Sequence, residues 1–264
     1  MKLIVTDLDG TFLDNKGTYD KLLFSKVWSE MKSKGIELAI CTGKQCERVE
    51  ELFVSNNVGI WVMGDSATRI THNKKLIREF PMEKNIALQI IEEIRQFDSN
   101  LITIICTNKG AFVNSDIKDQ HFDIVRGSYA NITKISSVND LIGKFLKITV
   151  YDSMERSNEL KEHLKLFDKH LYIVASDPAW LDVTDKAVHK GKTVEELQKI
   201  LKITKEDTMS FGDGENDVEL MDIAKYSFAM KNASENTKEA ADFITKSNDE
   251  NGVLKTIQKI IDLI

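Results

Sequence analysis

Asp7 and Asp9 stand two residues apart in Thr6-Asp7-Leu8-Asp9-Gly10-Thr11, directly after the apolar residues Leu3, Ile4 and Val5. An apolar run that stops at two carboxylates and a glycine reads as a buried strand ending in a tight loop. On a continuing strand the two acids would share a face. Carboxylates forced together repel unless a cation or a shared proton separates them, so the pair points to a functional site, with a divalent ion as one way to hold it. Three other stretches carry related chemistry. Thr42 and Gly43 follow the apolar run Ile36–Cys41 and offer a hydroxyl and backbone N–H groups to an anion. Lys190 and Gly191 open a helical pattern, and the lysine supplies a compact positive charge. Asp213, Asn216 and Asp217 lie in Gly-Asp-Gly-Glu-Asn-Asp, after the short run Thr208–Phe211.

Each stretch also has a plainer reading. Thr42-Gly43 suits an ordinary turn, and Lys190 suits a solvated residue at a helix N-terminus, although a cation there opposes the helix dipole. The loop around Asp213 resembles a calcium loop in composition, but its spacing is not that of an EF-hand and a strand pattern precedes it. Asp217 could cap the helix that follows. Taken together, the four supply oxygen ligands for one hard cation such as Mg2+, a cradle for phosphate oxygens and a lysine. That is a kit for phosphoryl transfer, where catalysis is mostly positioning and charge neutralisation.

The elements that must position these residues follow a β-α-β-α-β rhythm. A helix is predicted over Tyr19–Lys34, a strand over Ile36–Cys41, a helix carrying Val49, Leu52 and Phe53, and a strand over Val58–Met63. This rhythm argues for a parallel sheet with helices on both faces, an α/β, Rossmann-like, doubly wound core. A small hairpin is predicted over Thr68–Thr71 and Leu76–Glu79. From Met82 the pattern changes to strand pairs separated by helices, with residues 115–143 polar and irregular. Residues 82–184 therefore read as an inserted α+β domain with an open sheet, and residues 1–81 and 185–264 as the core. Phe80-Pro81 and Thr184-Asp185 would be the crossings. The parallel rhythm returns with a helix over Lys190–Leu201, and an amphipathic helix from Val253 to Leu263, with Ile264 on its apolar face, closes the chain. Ligands of such sheets bind beyond the carboxyl ends of the strands, so parallel strands would bring all four stretches to one edge.

The chain has 264 residues, 42% of them hydrophobic, enough for one large domain or two small ones. A net charge of −6 argues against nucleic acid and against anionic membranes. No apolar run is long enough to span a bilayer, and Asp7 interrupts the N-terminal apolar stretch too early for a signal peptide, so a soluble, cytoplasmic protein is expected. Cys41, Cys46 and Cys106 are odd in number and not closely paired, which argues against a disulfide framework or a zinc site.

Asp7-Leu8-Asp9-Gly10-Thr11 and Phe211-Gly212-Asp213-Gly214-Glu215-Asn216-Asp217, with Thr42-Gly43 and Lys190 between them, resemble in order the motifs of the haloacid dehalogenase-like phosphohydrolases. The last motif and the place of the insertion resemble the Cof-type branch. The resemblance implies that Asp7 is a nucleophile that becomes an aspartyl-phosphate, and that Asp9 is the general acid and then the general base. It implies a Mg2+ site made by Asp7, the Asp9 backbone carbonyl and Asp213, with Asp217 in support. Thr42, Lys190, Asn216 and the backbones of Leu8 and Gly43 would hold the phosphate. The chain departs from the family at Lys44, where many members have arginine, and at Asp65-Ser66-Ala67, where many have Asn-Gly-Ala.

A magnesium-dependent phosphatase of small phosphorylated metabolites, most of all sugar phosphates, is therefore expected, acting as a monomer or weak homo-oligomer with the insertion as its cap. A phosphotransferase or mutase on the same scaffold, or a regulator phosphorylated on aspartate, are the alternatives. His121, Arg126 and Trp180 have the polar or aromatic character to grip a sugar, though each also suits an ordinary surface or packing role.

Overall fold

The structure is a computed structural model and describes residues 1–53 and 59–263. Val58, the expected start of the third strand, and Ile264 lie outside those residues. Among the described residues the strands fall into two sheets. The first contains β1 (Leu3–Thr6), β2 (Glu37–Cys41), β3 (Trp61–Gly64), β4 (Arg69–His72) and β5 (Lys75–Glu79). The second is built from β6 (Ile102–Thr107), β7 (Gly110–Asn114), β8 (Ile132–Ile135), β9 (Phe145–Tyr151), β10 (Leu171–Asp177) and β11 (Trp180–Asp185). The chain then returns to the first sheet with β12 (Thr208–Gly212), β13 (Tyr226–Ala229) and β14 (Phe243–Ile244).

The first sheet runs β14-β13-β12-β1-β2-β3-β4-β5. Its strands are parallel from β14 to β3, and the antiparallel hairpin β4-β5 extends one edge. β1 is central and every residue of it is buried, as a near-continuous apolar run requires when both faces are covered. Ile4 packs on one side with Phe24, Met31 and Val49 and with Val253 and Ile257 from the helix Gly252–Ile261. Leu3 and Val5 pack on the other with Val194 and Leu197 of the helix Lys190–Leu201 and with Leu220. The alternation of a single strand thus serves two helical layers.

β1 lies between β12 and β2, where successive connections diverge to opposite sides. Thr6 pairs with Phe211 on one neighbour and with Ile40 on the other. In-register parallel strands therefore release Asp7, Thr42 and Asp213 at the same edge, which is where a doubly wound sheet opens a ligand crevice.

The second sheet has the order β10-β11-β9-β6-β7-β8, antiparallel except for the parallel pair β7·β8. Ile105, Ile148, Val150, Leu181 and Val183 on one face pack beneath the helix Lys84–Phe97 and against Leu160 and Leu164. The expectation of irregular chain over 115–143 is corrected here. Asp119–Arg126 is a helix, and Ile132–Ile135 is β8. Phe122, Val125 and Tyr129 recur at helical spacing and close over Ile104, Cys106 and Val113, so burial of Val125 and Tyr129 and partial burial of Phe122 settle a largely polar segment. A helix spans Ser157–His163, and the chain tightens into a 3₁₀ turn at Lys165–Phe167. No helix of the described residues is long and apolar enough to cross a membrane.

Candidate active site

The loop after β1 begins at Asp7, whose N–H donates to Phe211 O at 3.1 Å. It turns through Gly10 at φ +73° and closes with Leu13 N–H donating to Leu8 O at 2.8 Å. Leu8 has its side chain in the core, so only its backbone can serve the site. Asp7 is buried with Lys190 Nζ 2.8 Å from its Oδ1. The same ammonium lies 2.6 Å from Asp217 Oδ1. Asp7, Asp213 and Asp217 each place a carboxylate oxygen within 4.8 Å of the others.

Local structure explains how the set is held. Lys190 opens the helix Lys190–Leu201, and Gly191 lets that helix close on its neighbour: a Cβ at Gly191 would stand 2.6 Å from Glu219 O. Asp217 does not cap the helix after it. Its Oδ2 accepts instead from Asp213 N–H at 2.9 Å and Gly214 N–H at 3.0 Å, which folds the loop back on itself and fixes Asp213. The Thr11 hydroxyl donates to Asp213 Oδ1 at 2.5 Å. Asp9 is not one of the three clustered acids; its Oδ2 pairs with Lys44 Nζ at 3.0 Å and its side chain is 58% exposed.

Three carboxylates face one ammonium, a surplus of two negative charges in a buried place. The titration behaviour registers the excess. Burial, above all, raises the Asp7 carboxyl well beyond the usual carboxylate range; Lys190 opposes this while Asp217 and Asp213 add to it. Asp213 is pushed up to about 7, by burial first and by the Asp217 charge second. Burial works against charge on Lys190, but Asp217 and Asp7 outweigh it and hold the ammonium well above an ordinary lysine. A hard divalent cation matches both the oxygen donors and the missing charge.

A cavity of about 460 Å³ opens above these groups. Asp7, Asp9, Thr42, Gly43, Asn216 and Asp213 line its floor, so the sequence-predicted residues from three of the four stretches meet in one place, with Lys190 buried beneath. Of the three candidates for gripping a sugar, Trp180 lines the cavity. His121 instead packs against the Tyr151 ring and Arg126 against the Phe122 ring, outside the cavity wall.

Sequence reasoning missed the far wall. Lys147 and Thr149 of β9 face the cavity, and Asp182 of β11 stands opposite Thr149 in the strand register. Tyr129, Ser176 and Asp177 join them. The signal was present: in Phe145–Tyr151 and Trp180–Asp185 polar residues alternate with Ile148, Val150, Leu181 and Val183, as on strands with one apolar and one polar face. The departure at Asp65-Ser66-Ala67 takes the form of three successive residues at φ +53°, +54° and +65°. Ser66 is thereby presented to the same wall, donating to Asp182 Oδ2 at 2.6 Å.

The comparisons with known proteins agree with this architecture. The family model for haloacid dehalogenase-like hydrolases matches residues 4–257. A 5-amino-6-(5-phospho-D-ribitylamino)uracil phosphatase of Escherichia coli (strain K12) is 26% identical over 99% of this chain and 96% of its own. One of the same description from Bacillus subtilis (strain 168) is 26% identical over 99% of this chain and 98% of its own. A crystal structure from Streptococcus mutans UA159 superposes with a TM-score of 0.93 at 27% identity, covering 99% of each chain. With matched motifs, sheet order and a family model spanning nearly its whole length, the chain belongs to the haloacid dehalogenase-like hydrolases.

Proposed function

We propose that this hydrolase is a magnesium-dependent phosphatase that transfers the phosphoryl group of a small phosphorylated metabolite to Asp7 and then to water. The observation that carries the reading is the convergence of Asp7, Asp213 and Asp217 around Lys190 at the end of the central strand. A carboxylate oxygen of Asp7 attacks phosphorus, the bond to the leaving oxygen breaks, and Asp9 gives that oxygen its proton. Asp9, now a carboxylate, takes a proton from water as the water oxygen attacks phosphorus; inorganic phosphate leaves and Asp7 is restored. Thr42, Asn216 and the backbones of Leu8 and Gly43 hold the phosphate oxygens, and Lys190 favours the ionised form of Asp7 against its burial and fixes it. Asp7, Asp213 and the Asp9 carbonyl would hold Mg2+ with Asp217 behind them, and the ion would offset charge on the phosphoryl oxygens.

Residues 82–184 form the cap in this reading, and their polar wall meets the leaving group. The cavity volume suits a small metabolite rather than a macromolecule. Hydroxyl and carboxylate groups of Ser176 and Asp177, beside the Trp180 indole, favour a hydroxylated leaving group such as a sugar or polyol. The phosphoribityl compound named for the relatives belongs to that class. The test is Asp7→Asn with p-nitrophenyl phosphate and magnesium: hydrolysis should disappear while the circular dichroism spectrum stays that of the parent. Turnover by the variant at the parent rate would remove Asp7 from the role.

A further inference from the structure

The far wall of the cavity contains a buried cation for which the proposed chemistry has no use. Lys147 is 1% exposed. An ammonium has three hydrogens to give, and three acceptors surround this one. Gly43 O lies at 2.9 Å, Ser66 Oγ at 3.1 Å and Asp182 Oδ1 at 3.5 Å. Asp182 also accepts from the Thr149 hydroxyl at 2.6 Å, and Thr149 accepts from the Tyr129 hydroxyl at 3.0 Å. Two of its hydrogens are thus given to Gly43 O and Ser66 Oγ, and the Asp182 carboxylate faces the ammonium as an ion partner. Burial opposes its charge, but the Asp182 carboxylate outweighs this and keeps the ammonium above an ordinary lysine. A buried ion pair of this kind is a poor route to stability, since apolar residues of similar volume often do as well or better. Its geometry suggests another use.

The useful contact is with Gly43 O. That carbonyl and the N–H of Lys44 belong to one planar trans peptide and point in opposite directions. With the carbonyl gripped from the second sheet, the N–H of Lys44 is turned toward Thr42 and donates to its Oγ1 at 3.2 Å. Thr42 lines the cavity, and its hydroxyl then has one lone pair occupied and its own hydrogen still to give. The same loop is fastened a second time, because the Gln45 side chain accepts from Asn131 N–H at 2.8 Å and donates to Asn131 O at 3.1 Å.

We propose that Lys147 is a positioning residue for phosphate: through the peptide between Gly43 and Lys44 it orients the Thr42 hydroxyl as a donor to the phosphoryl group. The inference rests on the phosphatase reading. It makes the second sheet a working part of the phosphate pocket, not only the wall met by the leaving group.

A mutant cycle tests it. Lys147→Met alone would strand the Asp182 charge, so the variant of choice is Lys147→Met/Asp182→Asn, compared with Thr42→Val and with all three changes together. The readouts are KM and kcat for p-nitrophenyl phosphate and the inhibition constant of inorganic phosphate. The pair variant should weaken phosphate about tenfold, the scale of one lost hydrogen bond to a charged group, and raise KM more than it lowers kcat. Thr42→Val should do the same, and the triple variant should be no worse than Thr42→Val, because all act through one hydroxyl. If the pair variant does not fold, Lys147→Gln takes its place in the same cycle. Unchanged phosphate inhibition in the pair variant, or effects that multiply in the triple variant, would overturn the role of Lys147. A parent protein that releases no phosphate from any ester would instead overturn the phosphatase reading.

Discussion

Lys190 Nζ lies 2.8 Å from Asp7 Oδ1, a contact between two buried charges that are far apart in sequence. β1 delivers the carboxylate, and a helix entering from the second sheet delivers the ammonium. Without the cation, Asp7 and Asp217 would be left as buried charges facing Asp213. Lys190→Met should therefore cost the metal-free protein about 3–5 kcal/mol, the usual penalty for breaking a buried pair from one side. Magnesium should restore part of that loss, because it supplies charge to the same oxygens. Turnover should fall by about a hundredfold or more, as for loss of a group that stabilises developing charge. Thermal melts with EDTA and with magnesium, alongside kcat/KM, check both parts; parental melting without metal would contradict the first.

The same cluster sets the pH dependence of stability. Burial first, and Asp217 second, pushes Asp213 up to about 7. Burial also leads the rise of Asp7. In the unfolded chain both acids titrate near ~4. The native state thus holds more protons than the unfolded state between those values. The contribution of each group to stability is fully present below the unfolded value and is lost as pH rises through the folded one. For Asp213 alone the loss is about 1.4 kcal/mol for each pH unit across that window. Magnesium needs the ionised carboxylates, so its stabilisation should be large at pH 8 and small at pH 5. Paired melts with EDTA and magnesium at the two pH values give the answer, and equal metal shifts at both would count against the cluster as the metal site.

Asp9 invites a kinetic prediction. Its carboxylate is not one of the three clustered acids and is held by Lys44 at 3.0 Å on the cavity edge. That placement suits the proposed proton transfer to and from the leaving side. Asp9→Asn should cost about a hundredfold or more on an alkyl phosphate, whose leaving oxygen needs a proton. With p-nitrophenyl phosphate, a good leaving group, Asp7 should still be phosphorylated while hydrolysis of the intermediate stalls. Rapid-mixing measurements should show a burst of about one equivalent of nitrophenol followed by slow turnover. Equal losses on both substrates with no burst would remove Asp9 from acid–base work.

How far the sequence carried the reading depends on the range of the interactions involved. Asp7, Asp9, Asp213 and Asp217 were legible because short buried strands end abruptly at acids, and parallel strands in register bring their ends together. Lys190 was legible through its cost: a cation at the helix start implied a partner, and the structure supplies two. The role of Asp217 differed from a helix cap, because its carboxylate turns back to the Asp213 and Gly214 amides, a choice made by the tight turn and not by propensity. The helix Asp119–Arg126 was hidden since only Phe122 and Val125 on it, with Tyr129 just beyond, meet the sheet, and the apolar surface they need belongs to other segments. Lys147 and Asp182 were hidden for a like reason. Each is an ordinary charged residue in a strand until β9 and β11 pair and the sheet lies over Gly43.

Gly10 offers a test that separates backbone strain from damage to the site. It turns the first loop at φ +73°, and a Cβ there would collide with Asp213 Oδ2 and stand 2.8 Å from Asp213 Cγ. Gly17 has nearly the same φ, +72°, yet a Cβ there would meet nothing within 4 Å. Gly17→Ala should therefore cost only the backbone strain, about 1 kcal/mol, and leave turnover at the parental level. Gly10→Ala bears a similar strain and in addition displaces a carboxylate of the proposed metal site. Its activity should fall about a hundredfold, the scale set by moving a catalytic group by about 1 Å, and its magnesium requirement should rise. Melting temperatures and magnesium titrations of the two variants make the comparison. If Gly10→Ala lost no more activity than Gly17→Ala, Asp213 could be displaced without consequence, and the argument that it helps hold the cation would fail with it.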